Sequence, residues 1–115
     1  MDRVTRYKAA LDEIVRRVGR YMANAVGGPP METSVITDAE HGQYGLIETG
    51  WSPDGRRLVN TLLLARVKDG KVWVEEDNTD LTLADELLRA GVPREDIVLA
   101  FHPPDLRHLT EFAVS

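Results

Sequence analysis

Residues Glu32 to Asp77 read ETSVITDAEHGQYGLIETGWSPDGRRLVNTLLLARVKDGKVWVEED, and this stretch decides the fold. Apolar and polar residues alternate in four runs, TSVITDAE (33–40), QYGLIETGW (43–51), RRLVNTLLLARV (56–67) and KVWVEE (71–76). A period of two sends successive side chains to opposite faces of a sheet, so each run predicts a strand. His41-Gly42, Ser52-Pro53-Asp54-Gly55 and Asp69-Gly70 separate the runs. Connections this short require antiparallel neighbours, because a parallel crossover takes about a dozen residues or more. The expected sheet is a four-stranded meander. Leu62, Leu63 and Leu64 are consecutive in the third strand, which makes both of its faces apolar and predicts cover on each side.

Upstream, Val4, Tyr7, Leu11, Ile14, Val18 and Tyr21 recur at alternating spacings of three and four, one stripe of an α-helix. Arg16, Arg17 and Arg20 complement the carbonyl end of its dipole, and Gly27-Gly28-Pro29-Pro30 stops it near Ala25. Such a stripe either covers its own sheet or seats a second copy in a dimer. Downstream, Thr82 and Asp85 resemble a capping box, Leu83, Leu87 and Leu88 form an apolar face, and Gly91 closes a short helix. Pro93 suits the start of a second, with Glu95 and Asp96 near its first amides and Ile97, Leu99 and Phe101 turned inward. The tail DLRHLTEFAVS (105–115) reads as a further helical turn and a short final strand. The fold class is therefore α+β: a long N-terminal helix, a four-stranded antiparallel meander and two short C-terminal helices, in one domain spanning residues 1–115.

Composition bounds the function. The chain of 115 residues is 43% hydrophobic and 29% charged, enough for a real core without staples. It contains no cysteine, which excludes disulfides, thiolate metal sites and cysteine nucleophiles and fits a cytoplasmic protein. Nothing approaches the run of about 20 apolar residues that spans a membrane. With 14 basic against 19 acidic side chains the net charge is −5, which disfavours nucleic-acid binding by the whole molecule. Residues 1–26 nevertheless hold six basic against three acidic residues, +3, leaving 8 against 16, −8, for the remainder.

Pro53-Asp54 followed by Asp69-Gly70-Lys71 matches the PD…(D/E)xK pattern of metal-dependent nucleases. The two aspartates fall at opposite ends of one strand of about 12 residues, on the order of 35–40 Å apart. One metal ion, with oxygen ligands at about 2.6 Å or less, cannot bridge them. His41, His102 and His108 lack zinc-helix spacing, and no nucleophile elbow, GxGxxG or P-loop occurs. Trp51 and Trp73 read as packing residues. The residues left over are His102, Asp105, Arg107, His108 and Glu111, polar groups gathered beside Phe101, Leu109 and Phe112 in a proline-anchored segment. They form either a mutually bonded cluster or a ligand or partner contact. No cofactor is called for and no catalytic residue stands out.

KDGKVWVEEDNTD (Lys68–Asp80), ADELLRAGVPREDIVLAFHPP (Ala84–Pro104) and LTEFAVS (Leu109–Ser115) closely resemble the XisI family, controlling factors for excision of the fdxN DNA element. Weaker similarity runs through Thr37-Asp38-Ala39-Glu40, Tyr44 and Gly50-Trp51. Asn78-Thr79-Asp80 stands where Gly-Thr-Glu is common, and Leu64-Ala65-Arg66-Val67 where His-Leu-Asp-Ile is typical. The resemblance implies an α+β accessory protein encoded beside an XisH-like endonuclease and working with it and a site-specific recombinase in programmed DNA rearrangement. It implies no known active site. The leading expectation is thus a non-enzymatic factor acting by protein contact with an XisH-like endonuclease. The alternatives are a DNA-binding excisionase using the arginines of the first helix, and a small-ligand protein with a pocket near His102 and Arg107. Unburied apolar surface on the sheet and helix also predicts a homodimer.

Overall fold

The computed structural model describes residues 2–24 and 30–115. Helix α1 spans Arg3–Ala23, followed by strands β1 (Met31–Asp38), β2 (Gln43–Trp51), β3 (Arg57–Lys68) and β4 (Lys71–Asp77). Helix α2 (Leu83–Arg89), a 3-10 turn (Arg94–Asp96), β5 (Ile97–Leu99) and a 3-10 segment (Pro104–Leu109) complete the chain. The expected stop of the first helix at Gly27-Gly28-Pro29 falls outside the described residues.

The strands order β1-β2-β3-β4-β5, and the first four form the expected antiparallel meander. Asp69 and Gly70 make the β3–β4 turn with φ of 54° and 74°, the left-handed pair that a two-residue hairpin demands. Asp54 lies in the β2–β3 turn, at the other end of β3, so the nuclease-like aspartates are separated as the spacing predicts.

The sheet differs from expectation in having a fifth strand. Instead of a second helix, Arg94–Asp96 makes one 3-10 turn, and Ile97–Leu99 pairs in parallel with β4 through Val72↔Ile97, Trp73↔Val98 and Val74↔Leu99. The exposed edge of β4 offers these β-rich residues backbone partners that one more helical turn could not, and the segment containing α2 is long enough for a parallel crossover. The final strand reduces to a single bridge, Val98↔Ala113.

The core lies between α1, α2 and one face of the sheet. Tyr7, Leu11, Ile14, Val15 and Val18 meet Tyr44, Leu46, Leu63, Ala65, Val72, Val74 and Ile97, with Leu83, Ala84, Leu87 and Val92 closing the end. Val4 and Tyr21, the outer members of the predicted stripe, are exposed. The leucine triplet is accommodated by a bulge: Leu46 faces Leu63 and Ile47 faces Thr61, so Leu62 is the extra residue. Leu62 and Leu63 consequently enter the same core, while Leu64 is left on the open face of the sheet. The Leu62 carbonyl accepts from the Asn78 amide at 2.8 Å instead of from a ladder partner.

Helix α2 starts differently from its capping-box signature. Thr82 sits at φ 45° and its side chain caps nothing. Asp77, at the end of β4, accepts from the Leu83 amide at 2.6 Å and from the Thr79 amide and hydroxyl at 3.0 and 2.7 Å. The other end is a Schellman motif, with Val92 donating to the Leu87 carbonyl, Gly91 to that of Leu88, and Gly91 at φ 93°.

Candidate functional site

The polar residues singled out in the C-terminal segment fall on a short stretch packed against the β5 side of the sheet. Arg107 is its pin. Its Nε donates to the His102 carbonyl at 3.0 Å, Nη2 to Ala100 at 3.2 Å and Nη1 to Val114 at 3.3 Å, so one guanidinium ties three turns of backbone together. The same group lies 5.7 Å from the ring centroid of Trp73, whose other neighbour is the Lys68 ammonium at 4.6 Å. Thr110 donates to the Arg107 carbonyl at 2.8 Å and accepts from the Phe112 amide at 3.2 Å, closing the 3-10 segment.

The remaining members of the group do not converge. Glu111 reaches out to Arg94 at 3.3 Å, and that guanidinium lies 5.4 Å from the ring of Phe112. His102 packs its ring on Phe101 at 4.6 Å between centroids. Asp105 and His108 are exposed and make no side-chain hydrogen bond or ion pair among the described residues. No group of three or more histidines and carboxylates is close enough to hold a metal ion among those residues. The segment instead displays apolar groups: Phe101, which pattern reasoning turns inward, is 48% exposed, and Leu106 at 47%, Leu109 at 73% and Val114 at 51% are exposed as well. Consecutive prolines and the 3-10 geometry of residues 104–109 leave no helical period with which to assign an inner face. The result is an apolar rim on a rigidly tied backbone, flanked by His102, Asp105, His108 and Glu111.

The basic helix is largely engaged within the chain. Arg17 donates to the buried Glu86 at 2.9 Å and to Glu13 at 3.1 Å, and these carboxylates hold its guanidinium pKa above the usual value. Arg89 reaches the other Glu86 oxygen at 3.2 Å. Arg16 pairs with Asp12 at 3.0 Å, and Arg3 lies 3.8 Å from Asp96. Asp96, read from the sequence as a first-turn helix carboxylate, is buried and accepts a hydrogen bond from the Tyr7 hydroxyl. Burial, that hydrogen bond and the Asp96 charge push the Tyr7 pKa up to about 12. These contacts join α1 to α2 and to the turn before β5. They also occupy Arg3, Arg16 and Arg17, three of the five arginines of α1 on which the DNA-binding reading depends, while Arg6 and Arg20 make no ion pair among the described residues.

The sheet face away from α1 carries exposed Ile36, Trp51, Val59 and Leu64. Ile36, Ile47, Thr61 and Leu64 line a hollow of about 300 Å³ over Gly45. The second cover expected for β3 is not supplied by the described residues.

Comparison with known proteins gives one consistent result. The family model described as XisI protein matches residues 1–114. A crystal structure of the fdxN element excision controlling factor XisI from Anabaena variabilis is 35% identical, covers 99% of this chain and 100% of its own, and superposes with a TM-score of 0.83. A crystal structure of a XisI-like protein from the same organism is 30% identical over 97% of this chain and 99% of its own, with a TM-score of 0.80. No curated protein matches. Among the described residues no helix is long and apolar enough to cross a membrane.

Proposed function

The chain belongs to the XisI family, and on that premise we propose that it is an accessory factor controlling excision of a DNA element through protein contact rather than through chemistry of its own. The observation that carries this reading is the C-terminal rim. Phe101, Leu106, Leu109 and Val114 are presented to solvent by a backbone that Arg107 holds in place. Exposed apolar side chains on an ordered scaffold, rimmed by polar groups, are what a protein interface requires. The polar residues with the right chemistry for catalysis are spent on fixing that scaffold or stand apart from one another.

The partner is an XisH-like endonuclease, with the site-specific recombinase engaged through the assembly. Asp80, Asp85 and Glu95 are exposed, and the net charge of −5 favours encounter with a basic, DNA-handling surface. The internal pairing of Arg3, Arg16 and Arg17 argues against direct DNA binding through α1.

Co-expression with an XisH-like endonuclease and co-purification at moderate salt test the proposal. The wild-type chain is retained at micromolar concentration. Leu109→Asp abolishes retention while leaving stability within about 0.5 kcal/mol of wild type, as expected for an exposed position. Failure of the wild-type pair to associate, or full retention of both Leu109→Asp and Leu106→Asp, removes the proposal.

A further inference from the structure

Strand β1 is the outer strand of the sheet, and among the described residues β2 is its sole paired neighbour. The edge is eight residues long, METSVITD, with no proline, no lysine and no bulge against β2, so three of the usual devices that blunt a free edge are missing, and its charged residues, Glu32 and Asp38, lie on the face away from α1. Helix α1 runs beside it at close range: a Cβ at Gly19 would lie 3.0 Å from the Val35 Cγ2 atom. Between helix and strand lies a groove of about 300 Å³ lined by Arg16, Gly19, Arg20, Ala23, Thr33 and Val35.

From this geometry we infer that the groove between α1 and β1 accepts an extended acidic peptide segment of another protein, which adds to β1 as a sixth strand and places carboxylates on Arg16 and Arg20. The two arginines are four residues apart, one helical turn, about 6 Å. Alternate residues of a strand are about 7 Å apart, so acidic side chains at positions i and i+2 of the added strand match the two guanidiniums. The groove shows the same correspondence in its own walls, where Gly19 to Ala23 along α1 runs beside Val35 to Thr33 along β1. Arg20 makes no ion pair among the described residues, and Arg16 commits only its Nε, to Asp12. Val35, 37% exposed on the α1 side, supplies apolar contact to the stems of the acidic side chains, and Ile36, 50% exposed on the opposite face, to the residue between them.

Charge decides against a second copy of this chain as occupant. Pairing β1 with a twofold-related β1 would set the two α1 helices side by side and bring Arg16 and Arg20 of both against one another, and the strand has no acidic residue on its α1 side to relieve them. Glu32 is two-residue periodic with Ser34 and Ile36, on the face opposite Thr33 and Val35. A nucleic acid would satisfy the arginines but not the strand's outward N–H and C=O groups, which a peptide backbone meets together.

The test uses the full chain and a capped heptapeptide alternating glutamate and valine, with a lysine–valine peptide and a glutamate–proline peptide as controls. Amide hydrogen exchange and NMR shifts on titration should show binding of the first alone, with added protection confined to Met31–Asp38. Arg16→Glu with Arg20→Glu, both exposed, should weaken binding at least tenfold at low salt while far-UV circular dichroism stays unchanged. Any of four outcomes overturns the proposal: equal binding of the lysine or proline peptide, no effect of the double substitution, protection of β1 that grows with protein concentration in the absence of peptide, or displacement of the peptide by a single-stranded oligonucleotide.

Discussion

Replacing Tyr7 by Phe removes one oxygen and tests the link that closes the fold. The Tyr7 hydroxyl is the hydrogen-bond donor to the buried Asp96 carboxylate, and Arg3 at 3.8 Å is too distant to take its place. A hydrogen bond to a charged group contributes about 1.5–3 kcal/mol, so Tyr7→Phe should destabilise by that amount at pH 7. The sign of its pH dependence follows from the raised pKa of about 12, against the ordinary tyrosine value of 10.0. A group whose folded pKa lies above its unfolded one contributes fully below the unfolded value and loses that contribution as pH rises towards the folded one. Between pH 8 and pH 11 the wild-type hydroxyl should therefore lose about 1.4 kcal/mol, the equivalent of one pH unit, and the Phe variant should lose nothing from this source. Lysine titration affects both proteins alike and cancels in the difference. Urea unfolding followed by far-UV circular dichroism at pH 7, 8, 9, 10 and 11 measures the gap between them. A gap that stays constant from pH 8 to 11, or one below about 0.5 kcal/mol at pH 7, refutes the assignment of Tyr7 as the donor that holds Asp96 in place.

Three other outcomes follow from the structure. Asp77→Ala should cost about 1–2 kcal/mol in urea unfolding, because it strips the amide cap from α2, whereas Thr82→Gly should be neutral or stabilising by about 0.5–1 kcal/mol, because threonine is strained at φ 45°. Arg107→Ala should free the C-terminal tail: hydrogen exchange at the Ala113 amide, which donates to the Ile97 carbonyl at 2.9 Å, rises at least tenfold, and Arg107→Lys gives an intermediate rate because an ammonium cannot span three carbonyls. Leu11→Ala, at a fully buried position of α1, should lower stability by about 2–5 kcal/mol, with cooperative unfolding retained.

What pattern reasoning could reach, and what it could not, divides by the range of the forces involved. The long helix and the hairpins are local: period, turn residues and the Asp69-Gly70 pair carry them. Strand β5 is not local, since Ile97-Val98-Leu99 is too short to show a period and takes its conformation from β4, more than twenty residues earlier. Pro93 and two carboxylates imitate a helix start well enough to conceal it. Thr82-x-x-Asp85 likewise has the spacing of a capping box, but the chain enters α2 from the end of β4, where Asp77 already reaches the first amide. The Tyr7–Asp96 contact joins residues 89 apart and leaves no trace in either neighbourhood. In the C-terminal segment the residue types were legible while their use was not. Arg107 satisfies backbone carbonyls rather than side chains, and only the folded tail reveals which apolar residues face solvent.

The bulge at Leu62 also sets which changes of length this domain can absorb. Below it, Leu58 and Asn60 share the α1 side of the sheet through Gly50 and Glu48; above it, Leu63 and Ala65 do so through Leu46 and Tyr44. Even-numbered residues face inward in one half of β3 and odd-numbered residues in the other. Leu62 reconciles the two halves: without it Thr61 would still face Ile47 and Leu63 would still face Leu46 in one regular ladder with both halves inward, so its deletion removes a buried side chain rather than half of the strand from the core. The gene can thus lose the Leu62 codon, as it can lose codons in the Ser52–Arg56 turn, without turning either half of β3 out of the core, whereas a codon gained beside Leu62 would demand a second extra residue in the ladder.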